Sequence, residues 1–123
     1  GAWPSVGEPG SPVRESAALP EAGRGVRFEV EYFGAPAPAF VIRKGGAAHA
    51  YLNRCAHVAM ELDWQEGLFF DWLGLDLLCS THGATYEAST GRCVGGPCNG
   101  GALVKLRVEE RQGRVFYMGF ADG

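Results

Sequence analysis

Cys55-Ala56-His57 and Cys79-Ser80-Thr81-His82-Gly83, with 21 residues between His57 and Cys79, are the two stretches on which the reading of this chain turns. Each sets one thiol and one imidazole within three positions of each other. Thiolate is a soft ligand for transition metals and imidazole a borderline one, so two such loops can enclose either one metal ion or a binuclear cluster. Cys-x-His is too tight for the helix-borne histidine pair of a zinc finger, and neither half contains a pair of closely spaced cysteines. The two halves fit a cluster whose irons differ in ligation, one taking both thiolates and the other both imidazoles. A structural zinc site on the same four residues is the competing reading, and visible absorption separates the two.

Outward from these motifs the pattern is that of strands. Val26, Phe28, Val30 and Tyr32 alternate with Arg27, Glu29 and Glu31, the spacing of a half-buried strand. Ala39–Arg43 and Ala47–Asn53 flank Lys44-Gly45-Gly46, a hairpin signal. Ala102–Glu109 and Arg114–Phe120 flank a second turn at Gln112-Gly113. Short strands are predicted at Leu68–Asp71 and Leu75–Cys79, and no run sustains a helical period. Residues 1–23, rich in Pro, Gly, Ser and Ala, read as a loosely ordered leader that docks through Trp3. Residues 24–123 then form a single domain, with an insert at about 54–99 that bears the motifs.

Composition agrees with one small globular domain. The 123 residues are 46% hydrophobic and 20% charged, and 19 glycines favour a turn-rich β protein over a helical bundle. A net charge of −3 argues against a nucleic-acid binder that works by neutralising phosphate. The longest apolar runs are too short to span a bilayer, and Gly1–Leu19 lacks the pattern of a secretory signal, which points to the cytoplasm. Gly1 in place of Met is what a processed chain would show. Four cysteines are too sparse for a disulfide scaffold. Cys93 and Cys98 stand as small core residues, a disulfide pinning a Gly-rich loop, or a reactive dithiol. His49, between alanines on a predicted strand, reads as an ordinary strand residue. Trp64 and Trp72 read as packing residues of the insert, and Asp63, Glu66 and Asp71 as a solvated face.

The paired motif resembles the Rieske family, whose pattern is Cys-x-His, a spacer, Cys-x-x-His-Gly and a later Gly-Pro loop, here Gly96-Pro97. The resemblance covers about residues 26–120. It implies an all-β fold in which antiparallel sheets form a base and a smaller cluster-binding subdomain is inserted. It also implies one [2Fe–2S] cluster per chain, with Cys55 and Cys79 on one iron, His57 and His82 on the other, and Gly96-Pro97 in a third loop over the cluster. Relatives in the cytochrome complexes carry an additional cysteine in each ligand loop. Those positions are Met60 and Thr81 here, so that disulfide is missing. Ala84 replaces a serine that hydrogen-bonds the cluster, whereas Tyr86 matches a tyrosine donor. The pattern is thus similar to the soluble ferredoxin branch. A ring-hydroxylating oxygenase subunit would need a large further iron domain, for which these 123 residues leave no room.

The function implied is one-electron transfer between a reductase and a terminal oxidoreductase by a soluble monomer that is not itself an enzyme. Two other readings stand beside it: a small subunit of a larger redox enzyme of the nitrite-reductase kind, and a redox-sensing interaction module. Within 54–99, Glu61, Asp63, Glu66, Asp71, Asp76 and Glu87 oppose only Arg54 and Arg92, a net −4 against −3 for the whole chain. An insert of one sign leads us to expect a partner with a basic docking face.

Overall fold

The computed structural model describes residues 5–6, 10–54, 62–63, 67–71, 74–79, 83–96 and 101–121. Among these the chain is all-β, with a single 3₁₀ turn at Ser16–Ala18. The strands are β1 (Ser5–Val6), β2 (Ser11–Glu15), β3 (Val26–Tyr32), β4 (Ala35–Lys44), β5 (Ala47–Leu52), β6 (Asp76–Leu78), β7 (Thr85–Glu87), β8 (Cys93–Gly95), β9 (Lys105–Arg111) and β10 (Arg114–Phe120). Seven form one sheet in the order β1-β3-β4-β5-β9-β10-β2; β6-β7-β8 form a second. The large sheet is antiparallel except for β1 on β3.

Three strands separate β3 from β10 in that order, yet their rings meet. Phe28 and Tyr117 lie 6.3 Å apart between centroids, and Tyr32 stacks on Phe120 at 5.3 Å. The sheet therefore curls around an interior built from Val26, Phe28 and Val30 of β3, Ala39 and Val41 of β4, and Ala50 and Leu52 of β5, among others. Side chains alternate along a strand, so the intervening residues point the other way. Phe40, Ile42 and Tyr51 make a second core with Leu62, Phe69, Leu77, Cys79, Ala84 and Tyr86. Phe40 and Phe69 stack at 3.9 Å with planes 12° apart, joining the base to the insert. β4 and β5 thus bury both faces.

Part of the stretch predicted as a leader is built into the base. β2 pairs with β10 across a bulge and buries Val13 in the interior. Arg43 of β4 is the physical reason. Its guanidinium donates to the carbonyls of Leu19 (2.8 Å) and Ser16 (3.3 Å) and forms a two-pronged pair with Glu110 at 3.0 and 2.6 Å. The Arg43 hydrogen bond in turn holds the Glu110 carboxyl below its ordinary range. Glu21 accepts the amides of Gly45 and Gly46 at 2.6 and 2.9 Å, closing the same end over the β4–β5 turn. None of these polar ties leaves a hydrophobic period in residues 11–23. Residues 1–4 and 7–9, including Trp3, lie outside the described residues.

Phe33 opens the β3–β4 turn with φ +51° and a 91% exposed side chain. Left-handed backbone costs an L-residue roughly 1–2 kcal/mol, and asparagine tolerates it best after glycine. Phe33→Asn is expected to stabilise the fold by about 1 kcal/mol, read as a raised denaturant midpoint at unchanged slope. A lowered midpoint would show that the Phe33 ring, 4.4 Å from that of Tyr32, contributes more than the turn costs.

Candidate metal centre

The motif-bearing segment leaves the base after Leu52 of β5 and rejoins it before β9, where Leu52 N–H donates to Val104 C=O at 2.9 Å. Its first excursion is tied at the neck by one side chain. Asn53 Oδ1 accepts the Leu62 amide at 2.8 Å while its Nδ2 donates to Asp63 Oδ1 at 2.8 Å, drawing both ends of 54–61 together. Cys55 and His57 are in that span and, with Met60 and Glu61, lie outside the described residues.

The second excursion begins at the end of β6. Cys79 is fully buried beside Ala84 and Tyr86. Its amide donates to Ala84 C=O at 2.8 Å, and its carbonyl accepts the Gly83 amide at 2.8 Å. These reciprocal bonds fold 79–84 back on itself; His82 and Thr81, within it, are outside the described residues. The third excursion is tied by Cys93 N–H to Gly101 C=O at 3.0 Å. Gly96 at its start has φ +82°, and a Cβ there would stand 2.7 Å from Gly83 O and 2.8 Å from Ala84 Cα. Backbone meets backbone at that point, so the start of the third excursion lies directly on the end of the second. Pro97 and Cys98 lie outside the described residues, and Cys93 is disulfide-bonded.

The described part of the site fits an iron–sulfur cluster. A buried thiol sits at the mouth of a tightly folded loop, and each candidate loop carries soft or borderline donors. His49 stands apart on β5, half-buried, and burial lowers its pKa with the Lys105 charge adding to the effect. Tyr51, fully buried, donates to Ala88 C=O at 2.6 Å, and burial holds its phenol well above the usual range. Trp64, Trp72 and Glu66 lie outside the described residues.

One expectation is corrected. Asp63 does not belong to a solvated face: its side chain is 0% exposed, 3.6 Å from Arg27 Nη1, and its Oδ2 accepts the Gly67 amide at 2.9 Å. Neither Asn53 nor Arg27 stood out in the sequence. The available signal was strand alternation. Arg27 sits opposite Phe40 on the face that carries Phe40 and Ile42, and a charge on an apolar face calls for a partner.

Comparison with known proteins places the chain. The model of the Rieske [2Fe-2S] domain matches residues 11–109, and the chain belongs to that family. The Rieske domain is an electron-transfer module, and the chain accordingly carries a [2Fe–2S] cluster. A solved complex of reduced oxygenase and oxidised ferredoxin in carbazole 1,9a-dioxygenase contains a chain 25% identical, with a TM-score of 0.69; 90% of this chain covers 94% of that one. The ferredoxin of carbazole 1,9a-dioxygenase from Nocardioides aromaticivorans IC177 shares the fold at 22% identity and TM-score 0.67, with 89% and 98% covered. The terminal oxygenase of carbazole 1,9a-dioxygenase from Novosphingobium sp. KA1 matches at 25% identity and TM-score 0.66, but 94% of this chain covers only 31% of it. No curated protein matches the sequence.

Gly96→Ala is expected to force the second and third loops apart, since neither contacting group is a flexible side chain. The variant should lose its visible absorption several-fold faster under a chelator, with the far-ultraviolet circular dichroism of the base unchanged. An unchanged rate of loss would mean that the third loop does not guard the cluster.

Proposed function

We propose that Cys55 and Cys79 hold one iron of the cluster, that His57 and His82 hold the other, and that the chain carries single electrons from a reductase to a terminal oxygenase. The observation that carries this reading is the match to the Rieske [2Fe-2S] domain over residues 11–109, together with 25% identity to a chain of an oxygenase–ferredoxin complex. The buried Cys79, at the neck of a loop that contains His82, supports the ligand set. When bound, the cluster supplies a one-electron couple, and two imidazoles in place of two thiolates raise its potential. The protein's own share is orientation, burial and hydrogen bonding.

His82→Ala and His57→Ala should abolish the Rieske-type visible and electron-paramagnetic-resonance spectrum, whereas His49→Ala should retain it. A fully assembled cluster in the His82→Ala protein would overturn the ligand assignment.

The reading takes the chain to be a cytoplasmic monomer that meets its donor and acceptor in turn through transient contacts. Asp63 is paired with Arg27 and steers nothing; among the described residues, Glu87, exposed, and Asp71 and Asp76, half-buried, remain to attract a basic face. The second-order rate of electron transfer with the acceptor should fall as salt rises, because the attraction between exposed charges is screened. A rate indifferent to salt would remove the basic docking face from the proposal.

A further inference from the structure

The chain buries a carboxylate and a guanidinium where apolar residues of similar volume would serve stability as well. The side chains of Asp63 and Arg27 are 0% and 6% exposed and lie 3.6 Å apart. Their place in the fold is specific. Arg27 is on β3 of the base, and Asp63 immediately follows the first excursion of the insert. Asn53, fully buried at the end of β5, links the two: it binds Asp63 through Nδ2 and the Leu62 amide through Oδ1. The second carboxylate oxygen holds the Gly67 amide, and Gly67 C=O accepts the amide of Gly25 at 2.8 Å, close before β3. An apolar contact would hold this neck at no fixed register, whereas four directed bonds and one ion pair fix the start and the end of the 54–61 span together.

We infer that Asn53, Asp63 and Arg27 are positioning residues for the cluster. Asn53 and Asp63 hold the neck of the loop that bears Cys55 and His57, and Arg27 cancels the carboxylate charge so that the pair leaves the reduction potential undisplaced. This rests on the ligand assignment proposed above, whose failure has a different signature: an intact spectrum in a His57 or His82 variant.

Charge and position can be tested apart in the cluster-loaded protein. Asp63→Asn leaves an arginine that cannot release its proton. The pair then carries one unit of positive charge more than in the parent, which should favour the more negative reduced cluster and raise the potential measured by a spectroscopic redox titration. Adding Arg27→Gln to Asp63→Asn removes the charge and should return the potential toward that of the parent, although it removes a further contact. Loosening alone predicts no such return. Asn53→Ala changes no charge but breaks both bonds across the neck, and should shorten the half-life of the cluster under a chelator several-fold. This arm stands even where Asp63→Asn fails to fold. A potential lowered or unmoved by Asp63→Asn, or not returned in the double variant, would overturn the charge assignment. An Asn53→Ala protein that keeps its cluster as long as the parent would overturn the positioning role.

Discussion

Strands β4 and β5 are buried on both faces, and this constraint governs how the two cores relate. Inward, Ala39, Val41, Ala50 and Leu52 fill the curled sheet; outward, Phe40, Ile42 and Tyr51 form the floor of the insert. Because successive strand residues point to opposite sides, a slip of one residue would exchange the small inward set for the large aromatic outward set. The register Ala39↔Leu52, Phe40↔Tyr51, Val41↔Ala50 is therefore specified twice, once by each core. The inward residues on these strands are short, which suits the tight interior of a curled sheet. The outward ones carry the bulk needed to seat a subdomain with little strand structure of its own.

That subdomain is held by anchors of two kinds. Apolar stacking of Phe40 on Phe69 supplies contact area without direction. Directed bonds then set the geometry: Tyr51 to the carbonyl of Ala88, Asn53 to Leu62 and Asp63, and the reciprocal pair between Cys79 and 83–84. The last two lie at the necks of excursions rather than along them, so short loops can present donors without an extensive core of their own. Gly96 then meets the Gly83–Ala84 backbone, setting the start of the third excursion on the end of the second.

Much of the base was legible in the sequence. Alternation marked Val26–Tyr32 to the residue, and the turns at Gly45-Gly46 and Gln112-Gly113 located both hairpins. Family and cofactor were legible too, because metal ligation demands particular donor types at particular spacings. Of the four candidate ligands only Cys79 is among the described residues, where it is buried beside Ala84 and Tyr86. What escaped the sequence depends on long-range partners. β2 has the composition of a loop and buries Val13 alone, its place being fixed by pairing with β10 and by Arg43, 24 residues beyond Leu19. Asp63 could not be told from the other acidic residues of the insert, because the arginine that neutralises it lies far away in the sequence, on β3.

The seam between β5 and β9 is short. Ala50 faces Leu106, Tyr51 faces Lys105, and the Leu52–Val104 hydrogen bond closes it. Some fifty residues therefore depart and return at neighbouring points of the sheet. The entropy of closing a loop grows only with the logarithm of its length, about 0.6 kcal/mol per doubling. Residues added to or removed from the excursions beyond their necks would thus change the free energy of closing the base very little. In evolutionary terms the ligand-bearing portion can be lengthened, trimmed or reshaped for a new partner while the sheet beneath it is inherited unaltered.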